Sequence, residues 1–151
     1  MSTHTSRPSS YIGEFRHGID PKNRVTIPSA WRSGEAESFY VTEGAGRACL
    51  NVFTPEAFRQ VVESVQTLPG VSPRERQQFI QRFAAGAMEC SADKQGRMVL
   101  PVELCNRIGL QGEAVLVGAF SRFEIWNPEQ WDATKVATDP NFLNVGSQLG
   151  L

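Results

Sequence analysis

Short apolar runs, separated by turn-forming residues, dominate the first third of the chain. They predict β-strands at residues 11–19, 25–27, 39–42 and 49–53. Between the first two strands, Asp20-Pro21-Lys22-Asn23 predicts a tight turn, because proline presets the backbone and asparagine tolerates a left-handed conformation. The chain is therefore predicted to open with a hairpin that has a cationic tip.

Helical spacing replaces these short runs after residue 54. Pro55 suits the first turn of a helix whose apolar face is formed by Phe58, Val61, Val62, Val65 and Leu68. A second helix is predicted to begin after Ser72, because a capping serine is followed by proline and, three positions on, by Glu75. Its predicted apolar face consists of Phe79, Ile80 and Phe83.

The second half repeats the same order of elements. Strands are predicted at residues 88–91, 98–100, 114–117 and 123–126. A short helix is predicted at residues 103–108, and another begins at Pro128, but its pattern fades after Ala137. The tail beyond this point is expected to be mobile, or ordered only against a neighbour.

A motif of acid, turn, arginine, three strand-forming residues and proline occurs twice. It runs from Asp20 to Pro28 and again, 73 residues later, from Asp93 to Pro101. The same offset relates Thr54-Pro55-Glu56-Ala57-Phe58 to Asn127-Pro128-Glu129-Gln130-Trp131. A spacing that is kept over so long a stretch indicates a duplicated structural unit.

The duplication predicts an α+β protein of two related units. We assign an arm, a first unit, a connector helix, a second unit and a tail to residues 1–10, 11–68, 69–86, 87–136 and 137–151. Strands this short expose unpaired edges and bury too little apolar area to stand alone. We therefore expect the two halves to interleave their hairpins, and we expect the protein to self-associate.

Charge gives a weak indication of a nucleic-acid partner. The 151 residues carry a formal net charge of −1, whereas nucleic-acid-binding proteins usually present a basic surface. Residues 1–85 contain ten Lys/Arg and eight Asp/Glu, and residues 86–151 contain five and eight. The first half is thus the more basic, although on charge alone a solvated face is the favoured explanation. No apolar run is long enough for a membrane span and no secretory signal is evident, so a cytoplasmic location is expected.

The sequence lacks the patterns of an enzyme. Its cysteines show neither disulfide nor zinc spacing and are expected to be small buried hydrophobes, with a reactive thiol as the alternative: Cys49, Cys90 and Cys105. Gly44 and Gly46 do not form a phosphate-binding loop. His17 has no nucleophile placed to suggest a triad. We expect no catalytic residue, metal, cofactor or small-molecule substrate.

Two segments resemble the MraZ family of bacterial transcriptional regulators. They are residues 11–28, YIGEFRHGIDPKNRVTIP, and residues 89–101, ECSADKQGRMVLP. The connector Pro73-Arg74-Glu75-Arg76 and the closing Phe123-Glu124-Ile125-Trp126 fit the same family, so the resemblance covers roughly residues 11–134. It implies two swapped-hairpin units of the AbrB/MazE type, which form a β-barrel with flanking short helices and a pseudo-two-fold axis within one chain.

The resemblance also implies partners. Members of this family would form ring-shaped homo-oligomers, associate with the nucleoid and bind double-stranded DNA at repeated promoter elements ahead of the division and cell-wall gene cluster. Arginine suits such a task, because its guanidinium can fork two hydrogen bonds to a guanine edge or pair with a phosphate. We expect DNA contacts from Arg24, helped by Lys22 and Arg16, with Asp20 orienting the turn. The second-copy counterparts are Arg97 and Lys94, with Asp93 in the orienting role.

Alternatives to these roles remain open. An Asp and an Arg flanking a turn often form only a local salt bridge. The chain also departs from the family pattern: Asn23 stands where Gly is usual, the arm is longer, and residues 143–151 are nearly neutral where a charged tail is common. The rival functions are an antitoxin-like DNA-binding autoregulator and a structural ring that ignores DNA.

Overall fold

The computed structural model describes residues 10–46 and 48–151, so the predicted arm lies outside the described residues except for Ser10. The strands are β1 (Glu14–Gly18), β2 (Arg24–Thr26), β3 (Glu37–Glu43), β4 (Cys49–Phe53), β5 (Met88–Ala92), β6 (Arg97–Val99), β7 (Glu113–Gly118) and β8 (Phe123–Trp126). The helices are α1 (Pro55–Gln66), α2 (Pro73–Ala85), α3 (Val102–Arg107) and α4 (Pro128–Gln148), with a 3-10 turn at Ser29–Trp31.

The strands form one antiparallel sheet whose two halves are interleaved. The strand order is β1-β7-β8-β4-β3-β5-β6-β2. β1 pairs with β7, β2 with β6, β3 with β5 and β4 with β8, so every strand has a partner from the other half. β1 and β2 lie at opposite ends of this order yet follow each other in the chain, which bends the sheet into a nearly closed barrel. The expected swapped-hairpin α+β fold is confirmed.

An internal two-fold relation passes through the β2–β6 ribbon. Val25 pairs with Met98 at its centre, while Arg24 faces Val99 and Thr26 faces Arg97. Since Arg24 and Arg97 are equivalent residues of the duplicated motif, this register is symmetric about the central pair. The two motif turns therefore lie at opposite ends of one three-residue ribbon.

Aromatic side chains fill the barrel. Trp31 is buried with Tyr11, Phe39 and Phe123, and its ring centroid lies 5.7 Å from that of Tyr11 and 5.1 Å from that of Phe123. The indole Nε1 of Trp31 donates to the backbone oxygen of Ile12 at 3.0 Å, which satisfies its one polar atom. The 3-10 turn that follows β2 is thereby anchored in the core.

A buried charge network lies within the β4–β8 pair. Glu124 is only 3% exposed. Its carboxylate accepts hydrogen bonds from Arg122 Nη2 at 2.7 Å and Trp126 Nε1 at 2.9 Å, and Arg122 Nε donates to Asn51 Oδ1 at 2.9 Å. A buried carboxylate needs such partners. The acidic residue in the closing Phe-Glu-Ile-Trp segment is therefore architectural.

The helices match the predicted starts but differ in burial and length. In α1 only Val65 is buried, and α2 buries no residue fully. Their aromatic rings stack outside the barrel, with 4.5 Å between the centroids of Phe58 and Phe83 and 5.3 Å between those of Phe79 and Phe83. The expected end of the last helix near Ala137 is wrong, because α4 continues to Gln148. None of the described helices is both long and apolar enough to cross a membrane.

The cysteines are packing residues. All three are buried: Cys49, Cys90 and Cys105. Burial raises the pKa of the Cys90 thiol to about 11, with smaller contributions from Cys105 and Glu89. Burial likewise raises the pKa of Cys105. Because the thiolate is the reactive form, the interpretation as buried hydrophobes is confirmed over that of a reactive thiol.

Candidate nucleic-acid interface

The first tip, residues 20–24, is closed by a single carboxylate. Asp20 Oδ1 accepts hydrogen bonds from the backbone N–H groups of Lys22 at 3.0 Å and Arg24 at 2.8 Å. Its Oδ2 accepts from Arg24 Nε at 2.7 Å. Asn23 adopts the left-handed conformation that the turn requires, with a φ of 59°. Asp20 thus contacts both the backbone N–H and the guanidinium of Arg24.

The second tip, residues 93–97, has the same internal bonds. Asp93 Oδ1 accepts from the N–H groups of Gln95 at 3.0 Å and Arg97 at 2.9 Å, and Oδ2 accepts from Arg97 Nε at 2.8 Å. Gly96 occupies the left-handed position, with a φ of 82°. The duplicated motif is therefore a duplicated turn.

These bonds favour the ionised form of both carboxylates. The backbone N–H of Arg24, assisted by its guanidinium, holds the pKa of Asp20 below its usual value of 3.8. The backbone N–H and guanidinium of Arg97 lower the pKa of Asp93 in the same way. Each turn is therefore closed by a charged acceptor at neutral pH.

Each motif arginine uses only part of its guanidinium within its own turn. Arg24 binds Asp20 through Nε, and within the described residues its terminal nitrogens make no further hydrogen bond. Arg97 binds Asp93 through Nε and also reaches Gln95 Oε1 from Nη2 at 3.4 Å. A guanidinium carries five N–H donors. Each arginine thus forms the local salt bridge and still presents donors to a partner.

Both arginines face outward on the β2–β6 ribbon. Along β2 the central Val25 is buried between two partly exposed residues, and along β6 the central Met98 is buried between two exposed ones. The register makes Arg24 and Arg97 diagonal neighbours on the outer face, with roughly 7–8 Å between their Cα atoms. A two-stranded β-ribbon of this kind fits the major groove of B-DNA.

The remaining predicted residues are distributed unevenly. Lys22 and Lys94 are exposed at their tips. The structural counterpart of Lys22 is Gln95 and not Lys94. The backbone N–H of Gln95 donates to Asp93 just as that of Lys22 donates to Asp20. Arg16 lies on β1, where its Nη2 forms an ion pair with Asp132 of α4 at 2.6 Å. The structure therefore ties Arg16 to a helix instead of to the first tip.

The sequence interpretation missed Arg32, which follows the 3-10 turn. Its Nη1 donates to the backbone oxygen of Gln95, and a Cβ added to Gly96 would overlap its Cδ atom. The first half thus contributes a cation to the second tip. The position equivalent to Arg32 in the second half is Cys105, which contacts the Asn23 side chain. Each half thus places a side chain against the tip of the other half. These two contacts can be predicted from the sequence only when the swapped topology is combined with the 73-residue offset.

The contact between Arg32 and Gln95 makes the second tip more cationic than the first. The second tip holds one carboxylate and three cationic side chains: Lys94, Arg97 and Arg32. The first holds one carboxylate and two: Lys22 and Arg24. Charges counted along the sequence make the first half the more basic. In the folded protein, however, the second tip has more cationic side chains around it. Residues that are distant in the chain must be assigned to the surface they occupy.

Interleaved hairpins, an internal two-fold axis and two Asp–Arg turns place the chain in the class of duplicated swapped-hairpin proteins. A family model described as "MraZ protein, putative antitoxin-like" matches residues 83–141. The protein named Transcriptional regulator MraZ from Lachnoclostridium phytofermentans is 37% identical over 141 residues, which cover 93% of this chain and 98% of that protein.

Proteins of the same name from other bacteria agree. The one from Pediococcus pentosaceus is 37% identical over 139 residues, with 92% of this chain and 96% of that protein covered. The one from Natranaerobius thermophilus is 34% identical with the same coverage. The chain belongs to the MraZ family. Its relatives are named as regulators of transcription, so the expectation of a non-enzymatic protein is confirmed.

Proposed function

We propose that this protein is a sequence-specific DNA-binding regulator that inserts its β2–β6 ribbon into the major groove at repeated promoter elements. The division and cell-wall gene cluster is the proposed target. The observation that supports this most directly is the pair of arginines on one outward ribbon face, each oriented by its own aspartate. Two arginines with roughly 7–8 Å between their Cα atoms can both reach base edges within one groove.

The tip residues then have separate tasks. Arg24 and Arg97 donate from their terminal nitrogens to guanine edges or to phosphates. Asp20 and Asp93 hold these guanidinium groups in place and do not touch the DNA, because a carboxylate would be repelled by phosphate. Lys22 and Lys94 pair with the flanking phosphates. Arg16, already bound to Asp132, contributes less.

Self-association provides the affinity that one protomer lacks. A chain of formal charge −1 with one ribbon binds DNA weakly, whereas a homo-oligomeric ring that engages several repeats gains about 10²–10⁴ in avidity. Exposed apolar residues on α4 and at its end support an interface between copies: Val136, Phe142, Leu143 and Leu149 are 67–75% exposed. Such a regulator would act in the cytoplasm, at the nucleoid.

Fluorescence anisotropy tests this function. DNA with one to four candidate repeats from upstream of the protein's own gene is compared with scrambled DNA, using wild type, Arg24→Ala, Arg97→Ala and the control Arg59→Ala on the exposed side of α1. Loss of one good base contact costs about 1–3 kcal/mol, or roughly 5–150-fold per repeat. The control should bind like wild type, and affinity should rise steeply with repeat number.

Two outcomes would contradict the proposal in different ways. Equal binding of repeat-bearing and scrambled DNA would remove the regulatory function and favour a structural ring. Full binding by both tip variants would leave DNA binding intact but move it to another surface. Light scattering on the same samples measures the oligomer.

The description of the family model as antitoxin-like favours a second function, that of an autoregulator paired with a toxin. This alternative predicts a neighbouring gene whose toxic product forms a complex with the protein. Co-expression of the two genes, followed by size-exclusion chromatography, would detect such a complex.

A further inference from the structure

The two tips differ in the side chain that the opposite half places against them. Arg32 lies across Gly96 at the second tip, whereas Cys105 lies under Asn23 at the first. Both contacts arise from equivalent positions of the duplication. The internal two-fold therefore relates a cationic neighbour to a neutral one.

At the second tip, Gln95 joins two guanidinium groups. Its backbone oxygen accepts a hydrogen bond from Arg32 Nη1, and its side-chain oxygen accepts from Arg97 Nη2 at 3.4 Å. The absence of a Cβ at Gly96 allows the Arg32 side chain to cross the turn. Arg32 is therefore held in place before any partner arrives, and the residue is partly exposed beside the tip.

At the first tip the corresponding space is an open cleft. Cys105 is 3% exposed, and the Nδ2 of Asn23 is turned onto the backbone oxygen of Leu100 at 2.9 Å. A cleft of about 490 Å³ lies beside the tip, lined in part by Asp20 and Asn106. No arginine from the other half fills it among the described residues.

We propose that Arg32 is a third DNA-binding arginine, which pairs with a backbone phosphate beside the groove entered by the ribbon and makes the second tip the tighter of the two. This inference rests on the proposed function. Arg32 lies beside the turn, not on the ribbon face, so it addresses the phosphate chain and not the base edges. A guanidinium already fixed by a carbonyl loses less freedom when it binds phosphate.

The salt dependence of binding tests this directly. Arg32→Gln, Arg32→Lys and the matched control Arg59→Gln are measured on a single-repeat DNA over a salt series. Removing one phosphate contact should lower the magnitude of the slope of log K against log salt by about 1. Arg32→Gln should show this loss, while Arg32→Lys, which keeps the charge, should retain the slope of wild type. Arg59→Gln should match wild type in both affinity and slope.

A transplant tests the same idea by gain of function. Asn23→Gly combined with Cys105→Arg would give the first tip the glycine and arginine of the second, in the space of the cleft. This variant should increase the magnitude of the salt slope by about 1. Circular dichroism and thermal melting establish that each variant is folded. If the transplant fails to fold, the Arg32 variants alone decide.

The possible failures are distinguishable. If Arg97→Ala loses binding while Arg32→Gln keeps the affinity and slope of wild type, the role of Arg32 is refuted and the proposed function stands. Weaker binding by folded Arg32→Gln with an unchanged slope would show a purely structural role and also refute the contact. If wild type does not prefer repeat-bearing DNA, both proposals fail together.

Discussion

The two tips share a turn but not its surroundings. The bonds from Asp20 and Asp93 match within 0.1 Å at each equivalent position. The residue at the left-handed position is nevertheless Asn23 in one tip and Gly96 in the other. The Asp–Arg motif therefore sets the turn, whereas the neighbour from the opposite half determines which side chain can occupy its tightest position. Asn23 stands at the tip where the equivalent neighbour from the opposite half is Cys105 and not an arginine.

The largest change in the free energy of unfolding is expected when the left-handed residue of one tip is replaced by that of the other. Gly96→Asn places a Cβ against Arg32 and within 3.1 Å of the Ile27 backbone oxygen, which should destabilise the fold by about 1–3 kcal/mol. Asn23→Gly loses the hydrogen bond to Leu100 but relieves a left-handed residue, so its cost should stay below about 1 kcal/mol. Urea unfolding measures both. Equal losses would show that the neighbours do not distinguish the tips.

Replacing Arg32 by the cysteine found at the first tip should recover part of the stability that Gly96→Asn loses. Gly96→Asn combined with Arg32→Cys recreates at the second tip the pair found at the first, so the double variant should be more stable than the sum of the two single changes implies. Coupling of about 1 kcal/mol or more is expected for residues in direct contact. A double-mutant cycle by urea unfolding gives the coupling energy. Additive effects would contradict the contact.

Acid should affect the two tips alike. Because the folded pKa values of Asp20 and Asp93 lie below 3.8, their stabilisation is fully present above that pH and is lost as pH falls through the folded pKa. The amide NMR signals of Lys22 and Gln95 should therefore titrate with midpoints below 3.8. Asp20→Asn should remove this titration from the first tip alone. A midpoint above 3.8 at one tip would show that its carboxylate is not held as described.

The smallest effect is expected outside the tips. Arg16→Gln removes an exposed ion pair with Asp132, and such pairs contribute only about 0–1 kcal/mol. DNA affinity should change far less than in Arg24→Ala. Anisotropy on the same DNA makes the comparison, and a loss as large as that of Arg24→Ala would extend the interface along β1.

Local features could be predicted from the sequence, and contacts across the swap could not. The Asp20 and Asp93 turns follow from residues within five positions, so the motif alone indicates them. The bonds of Arg32 to Gln95 and of Arg122 to Asn51 depend on strands brought together by the topology. Periodicity also fails for α4 beyond Ala137, because a helix exposed on nearly all sides has no apolar stripe to reveal it.

Interleaving of the halves has a consequence for how the chain acquires its structure. During synthesis, β1 and β2 emerge long before β7 and β6, the strands with which they pair among the described residues. Contacts this distant in sequence are slow to form and leave strand edges open in the meantime. Neither half can complete its sheet by itself. A chain severed between α2 and β5 should therefore yield two fragments that regain a native structure only by combining with each other.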